Sequence, residues 1–442
     1  MPTTELAPAP SDVDPSLRGR RTARRWFALP AELSGDDTKS TVFAWLISRA
    51  LTLTLMVSIE PSVVGDVSYY SRSLRALFFN GAGIRETFQE YPLPVFGVML
   101  PQFLLGLANP VAFTVLFALS MLAADGVFTW LLWRTSGRRR SEAVTFWLWF
   151  VPLIGPTAYF RFDLVPAVLA GGAVLALMRR PALCGVLTAI GAALKLWPAI
   201  MLPIFLLGPT NRRRVLGGFL ATGGALALAS LLAGGVERLM SPLQWQANRG
   251  LQIESVPAGP LMLVRMFDPK GPWDAPLSLY KARELTGPGV SAFLTVSTIL
   301  MIASVALLVV LWNRARLAPT VTVEIVGWLL VATAAVATIT NKVLSPQYIL
   351  WLGGPLAALA VRQMGDRHVR RAMRLLLAIA LLTQVNYPLL YPWLVNGNFP
   401  VQFGTLVLET RNVLLVIFAW QACKRVWVLA QRSRSPDAVS TR

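Results

Sequence analysis

Histidine occurs once among the 442 residues and cysteine only twice, which leaves little with which to build a metal centre, a disulfide framework or an imidazole acid–base pair. The one histidine, His368, lies in a basic loop, while Cys184 sits inside an apolar run and Cys423 at the end of the last one. No Walker-type glycine loop is present, so no nucleotide site is expected. Acidic residues are few as well, 22 against 41 basic ones, and charged residues make up 14% of the chain. Whatever chemistry the protein performs must use carboxylates and cations. Lysine is rarer still, six of the 41 basic residues, so a lysine near a membrane boundary stands out against the arginine background.

What the chain has in plenty is apolar length. Hydrophobic residues make up 55% of it, in recurring runs of about fifteen to twenty-three, the mark of a polytopic membrane protein. Such runs must be helical, because a backbone in hydrocarbon has to satisfy its own hydrogen bonds, and the alternation of barrel strands is missing. The expected fold is all-α, a polytopic membrane helix bundle. A net charge of +19 would suit a nucleic-acid partner, but the basic residues come in short clusters between apolar runs. They read as topology signals, and the expected partners are membrane lipids.

Residues 1–40 are rich in Pro, Ser, Thr and Asp, carry R-G-R-R-T-A-R-R, and read as a disordered cytoplasmic tail, with 425–442 as a second tail. One integral membrane domain, 41–424, lies between them. The first span covers 41–59, and the arginines before it place the amino terminus inside. Segment 94–108 contains Pro94 and Pro101 and would rise only ~22 Å against a ~30 Å core, so it is expected to lie along the interface. Spans follow at 111–133, 143–160 and 164–178. A single helix over 182–209 would leave three later basic clusters outside, whereas two half-spans turning at Lys195-Leu196-Trp197-Pro198 return them to the cytoplasm. Spans at 215–235, 290–312, 321–340, 346–361, 374–393 and 403–422 bring the count to about twelve in the plasma membrane, with long outer loops at 60–110 and 236–289. No internal repeat of the transporter kind is visible.

The first outer loop holds Gly65-Asp66, Tyr69, Tyr70, three arginines and Glu90-Tyr91-Pro92, a polar density that reads as the wall of an active site. On this topology Asp66, Arg161, Asp163, Lys195, Arg249, Glu254 and Lys342 fall at one membrane level. Charges there are costly unless they pair or line a wet cavity. Mixed cations with one or two acids suit a phosphate group beside a general base. Plainer readings stand beside this one. Asp66 could be an ordinary loop acid, Lys195 and Lys342 could snorkel to the interface, and Arg161 could pair with Asp163 across a tight turn. Asp125, Glu409 and Arg411 suit interhelical polar contacts, and Trp147 and Trp149 suit interface anchors.

The strings G-D-V-S-Y-Y with a later E-Y-P, R-F-D-L-V-P, A-A-L-K-L-W-P-A-I-M-L-P, R-G-L-Q-I-E-S-V-P-A and N-K-V-L-S-P-Q-Y-I-L-W-L occur in this order. Over about 43–420 the chain thereby resembles glycosyltransferase family 87 of the GT-C superfamily, which includes actinobacterial polyprenyl-phosphomannose-dependent α-mannosyltransferases. The resemblance implies an inverting enzyme of GT-C type that takes a sugar, mannose being the expected one, from a polyprenyl monophosphate. The implied acceptor is a glycolipid or lipoglycan such as a phosphatidylinositol mannoside or lipomannan, and the implied active site faces the extracytoplasmic side. The family's catalytic acid maps onto Asp66, its lysine motif onto Lys195 and its arginine–glutamate loop onto Arg249 and Glu254. Tyr91-Pro92-Leu93-Pro94 departs from the family's tyrosine followed by two prolines.

The residue chemistry agrees with that picture. Asp66 is the candidate to take the acceptor's proton, and Lys195, Lys342, Arg249 and Arg161 are candidates to hold the donor phosphate. Tyr69, Tyr70, Glu90, Tyr91, Asp163 and Glu254 are candidates for substrate contact. No cofactor is called for beyond the polyprenyl-phosphomannose donor, and a divalent metal is not required by the sequence. Two alternatives remain open at this stage: an arabinofuranosyl donor in the same kind of enzyme, and a flippase or transporter for a lipid-linked sugar. The clustering of the charges at one membrane level counts against transport, which needs access from both sides.

Overall fold

The computed structural model describes residues 37–59, 61–397 and 400–432; of the tail expected at 1–40, residues 1–36 lie outside them, as do 433–442, while 37–40 already belong to the first helix. Helix α1 (Asp37–Ile59) covers the segment expected as the first span. The loop behind it is itself helical. In α2 (Gly65–Phe79) the buried residues Val67, Tyr70, Ser71 and Leu74 recur at helical spacing, while Arg72 and Arg75 stay exposed. The ten residues of α3 (Phe96–Leu105) rise only ~15 Å, too short to cross, as expected for this segment. The chain then reverses through Leu107 and Ala108, both at positive φ. Asn109 caps α4 (Pro110–Thr135) by accepting from the amides of Val111 and Ala112, with Pro110 at the first helical position.

Three short helices follow, α5 (Glu142–Ile154), α6 (Leu164–Ala176) and α7 (Pro181–Leu194). Helix α7 stops where the basic clusters required a turn: Lys195 is extended at φ −155°, ψ 126°. Three residues on, the ring of Pro198 would meet the carbonyl of Leu194 if the helix continued. After α8 (Leu202–Phe205), the 36-residue α9 (Arg212–Ala247) packs along α7 and bends at Gly235, where φ is 77°. The two backbones touch through glycine. A Cβ on Gly185 would overlap the carbonyl oxygen of Val215, and one on Gly218 that of Ala182.

The remaining helices are α10 (Gly259–Phe267), α11 (Val290–Arg316), α12 (Val323–Ile339), α13 (Ile349–Arg362), α14 (Arg367–Gln384), α15 (Tyr391–Asn396) and α16 (Val401–Arg432). Helix α16 runs past the boundary expected at 424. The architecture is all-helical, and among the described residues pairing of the β kind is limited to isolated bridges within 252–286.

Among the described residues five helices are long and apolar enough to cross a membrane: α4, α9, α11, α14 with its continuation to Asn396, and α16. The expected count of about twelve is therefore not reached. Beside the 23-residue α1, the shortfall lies in the centre, where α5, α6, α7, α12 and α13 have only 13 to 17 residues. They are walled by other helices, α12 and α13 being buried along almost their whole length. Irregular backbone at membrane depth is tolerated where it is buried in protein or lines a cavity, so these helices can stop early and hand over to loops.

One buried polar knot ties the first half together. Asp125 of α4, fully buried, accepts from Arg49 Nε at 2.7 Å and Nη2 at 2.9 Å, Trp147 Nε1 at 2.7 Å, Trp45 Nε1 at 2.9 Å and Tyr159 Oη at 3.0 Å. Trp147 is thus a core hydrogen-bond donor and not the interface anchor expected of it; Trp149 is half-exposed. The loop 248–289 has a small core of its own. Leu251, Ile253, Leu261 and Leu285 pack on Leu394 and Leu408, and Arg265 donates to the carbonyls of Leu394 at 2.6 Å and Val395 at 2.8 Å at the end of α15.

Candidate active site

The early ends of the central helices leave a cavity of about 480 Å³, walled by α2, the 90–92 loop, the break after α7, the end of α9 and the 248–289 loop. That is the size of a small-ligand site. Five basic side chains line it, Arg161, Lys195, Arg249, Lys281 and Arg283, against three acids, Asp66, Glu90 and Glu254. The surplus is positive, which suits an anion.

Asp66 enters from the first turn of α2 and is about one-third exposed, its Oδ2 lying 2.7 Å from Nε of Arg161. The rest of that guanidinium is spoken for. Nη1 donates to the carbonyls of Val63 at 3.0 Å and Phe160 at 3.1 Å, and Nη2 to the hydroxyl of Tyr387 at 3.3 Å. Arg161 therefore pins the start of α2 to the α5–α6 turn and holds Asp66 at the cavity edge. It does not pair with Asp163, the partner the tight turn suggested.

Asp163 instead takes Lys195, at 2.5 Å, together with the indole N–H of Trp351 at 2.8 Å. The Lys195 ammonium sits 4.9 Å from the ring centre of Tyr348, 5.0 Å from Trp351, 5.3 Å from Phe162 and 5.9 Å from Tyr91. Aromatic faces and one carboxylate thus fix the charge at the cavity wall. Beside it Trp197, Trp351 and Tyr348 stack, with centroids 5.3 Å and 3.9 Å apart and planes within 20°.

Across the cavity Tyr69 carries the Lys281 ammonium 2.9 Å from its ring centre. Burial, assisted by Glu90, pushes the Tyr69 phenol well above its usual range. Burial also pulls Lys281 down, against the opposing pull of Glu90 and Asp66. Arg249 pairs with Glu284 at 3.2 Å and not with Glu254. Glu254 is 1% exposed, with Asn386 Nδ2 at 3.4 Å, and its backbone carbonyl accepts from Arg411 at 2.8 Å. Burial pushes its carboxyl up to about 7, against the pull of Arg411, Asn386 and Arg161.

One arginine outside the lining shapes the wall. Arg238, just past the α9 bend, donates to the carbonyls of Ile84 at 3.3 Å, Thr87 at 3.2 Å, Phe88 at 3.0 Å and Tyr91 at 3.0 Å. Ser241 adds a bond to the carbonyl of Gln89 at 2.9 Å.

Of the residues singled out in the sequence, Asp66, Tyr69, Glu90, Tyr91, Arg161, Lys195, Arg249 and Glu254 line this one cavity. Tyr70, Asp163 and Lys342 do not. Tyr70 is buried among Phe88, Tyr91, Phe117 and Phe162, Asp163 sits behind Lys195, and Lys342 turns away to donate to the carbonyl of Ala247 at 2.8 Å. The aromatic stack, Lys281, Arg283, Gln252 and Tyr387 line the cavity and were not singled out. Lys281 is one of only six lysines, the signal already applied to Lys195 and Lys342.

Compared with known proteins, the chain matches the model of glycosyltransferase family 87 over residues 88–336. No curated protein and no solved structure matches it. The matched stretch takes in Arg161, Lys195, Arg249 and Glu254 and begins after Asp66. It covers more than half of the chain, which with its bundle of apolar helices belongs to glycosyltransferase family 87 and is a membrane glycosyltransferase.

Proposed function

We propose that the cavity transfers a sugar, mannose in the first instance, from a polyprenyl monophosphate to a hydroxyl of a glycolipid or lipoglycan acceptor, with inversion and on the extracytoplasmic face. The observation that carries this reading is the placing of Asp66, a partly exposed carboxylate held by Arg161, in a cavity where cations outnumber acids. Asp66 takes the acceptor's proton as its oxygen bonds to the anomeric carbon. The bond from that carbon to the phosphate oxygen breaks, and its electron pair leaves with the phosphate.

The departing group gains negative charge, so fixed cations at that point favour the transition state over the ground state. Lys195 and Arg249 fill this role, with Lys281 and Arg283 on the opposite wall. Arg161 positions Asp66. The stack of Trp197, Trp351 and Tyr348 offers a flat apolar face to a sugar ring. Lys342 contributes from outside the lining, by closing the end of α9.

The test is transfer by purified wild type and Asp66→Asn from polyprenyl-phosphomannose to a lipid extract, read by mass spectrometry. A hexose gain in wild type that is lost in the variant supports donor class and base together. Gain only with polyprenyl-phosphoarabinose changes the sugar. Failure with every polyprenyl-phosphate sugar, or lipid transport in proteoliposomes that survives Asp66→Asn, sinks the reading.

A further inference from the structure

At the end of the bundle away from the active-site cavity, a second cavity of about 360 Å³ opens between the α8–α9 turn and the last turns of α11. It lies almost the whole of α9, about 50 Å of helix contour, from Trp245 at the first cavity. Arg212, Arg213 and Arg316 line it with Leu206, Leu207, Leu216 and Trp312, and no carboxylate does. Neutralisation is available at this end of the molecule, since Arg425 of α16 is held by Glu324 at 2.7 Å and by Asp366 at 3.3 Å. Among the described residues, no acid pairs with the three guanidinium groups around the cavity.

The rest of the lining is apolar and fixed. The indole N–H of Trp312 donates to the carbonyl of Pro203 at 3.2 Å, which seats the ring across the gap, and the Arg316 guanidinium lies 5.6 Å over it. Below the cavity the exposed side chains remain apolar at helical spacing, Leu216 and Leu220 on α9 and Val309 and Val305 on α11, with the partly buried Trp312 one turn above them. Both helices leave most of their length uncovered by protein. The cavity therefore joins a cationic mouth to an apolar track that faces the bilayer.

We propose that this cavity binds the headgroup of an anionic phospholipid of the adjoining leaflet. Its phosphate lies among Arg212, Arg213 and Arg316, its glycerol beside Trp312, and one acyl chain along the Leu216–Leu220 and Val305–Val309 track. The volume holds a glycerophosphate and not a diacyl lipid, which leaves the chains in the membrane. A soluble phosphate would satisfy the arginines but leave the leucines and the track uncovered. The geometry couples α8 and α9 to α11 through a lipid, independently of the reaction proposed above.

The experiment is native mass spectrometry of the full-length protein released from phosphatidylcholine nanodiscs containing a minority of phosphatidylglycerol. One phosphatidylglycerol should be retained per chain in preference to phosphatidylcholine. The Arg212→Gln/Arg213→Gln/Arg316→Gln variant should hold it about 10²-fold more weakly, each surface guanidinium being worth roughly fivefold. The corresponding triple lysine variant should keep most of the binding. A control of equal charge outside the cavity lining, Arg138→Gln/Arg139→Gln/Arg371→Gln, should leave retention unchanged. Equal retention of both lipids, equal loss in the control, or displacement by millimolar inorganic phosphate would each overturn the proposal. Both variants are scored on protein of wild-type melting temperature, and since all three cavity arginines are exposed, the single Arg316→Gln serves if the triple does not fold.

Discussion

Two aspartate–arginine pairs of the same length, 2.7 Å, sit in different regions of this molecule and do opposite things. In the pair inside the bundle, Asp125 is sealed and receives five hydrogen bonds from Arg49, two tryptophans and a tyrosine. In the pair at the cavity, Asp66 keeps about a third of its side-chain surface open. A buried ion pair is tolerated only when the remaining valences of both partners are filled. The first pair meets that condition and is structural. The second gives up part of it, and the carboxylate left open is the one placed to take a proton.

The largest expected effect tests the open pair. Asp66→Asn should lower sugar transfer by ~10²–10⁴-fold, the worth of a positioned general base, with a melting temperature close to wild type. Next comes the sealed pair. Asp125→Asn should destabilise the fold by about 3–5 kcal/mol, because it leaves the Arg49 charge buried and uncompensated, and thermal unfolding in detergent reads this directly. If the two substitutions proved equally destabilising, the distinction drawn between the pairs would be lost.

The two lysines that look alike in sequence sharpen the contrast further. Lys195→Ala should cost ~10²-fold in turnover, as expected for a cation at a developing phosphate charge. Lys342→Ala, whose ammonium faces the end of α9, should change turnover by less than about threefold. Equal losses in both would move the phosphate site towards Lys342.

A separate expectation concerns the stability contributed by Glu254, one of the two other acids in the lining. Its folded value, about 7, is raised above the usual 4.5 by burial, so between those values the folded chain holds a proton that the unfolded chain has released. Stability is favoured below about 4.5 and falls as the pH rises through 7, by roughly 3–4 kcal/mol in all. Glu254→Gln should abolish this part of the slope. The difference between wild-type and variant unfolding curves over that window isolates it, and parallel curves would show that the carboxyl is already solvated.

Much of the fold was legible because the bilayer restricts the choices. Apolar runs had to be helices, and the break at Lys195 followed from where the basic clusters could lie, with Pro198 as its local cause. The convergence of Asp66, Arg161, Lys195, Arg249 and Glu254 was legible for the same reason, since each stands at the same end of a helix. Their pairings were not. Arg161 meets a carboxylate 95 positions away in preference to one two positions away, and Lys195 meets Asp163 across two helices. Such choices are settled by packing that has no local signature.

The span count failed for a related reason, because a short helix walled in by protein and a full span read alike in hydropathy. Trp351 was passed over because an aromatic ring at a helix end reads equally as an interface anchor. Its indole bond to Asp163 and its stacking on Tyr348 and Trp197 show that it faces inward.

The arginine at position 238 gives the site a mechanical dimension. Helix α9 leans on α7 along one side and leaves most of its other side chains uncovered by protein. Just beyond its bend, a single guanidinium grips four carbonyls of the segment that carries Glu90 and Tyr91. The wall of the reaction chamber is thereby fastened to a membrane helix, so its shape depends on where the far end of α9 stands.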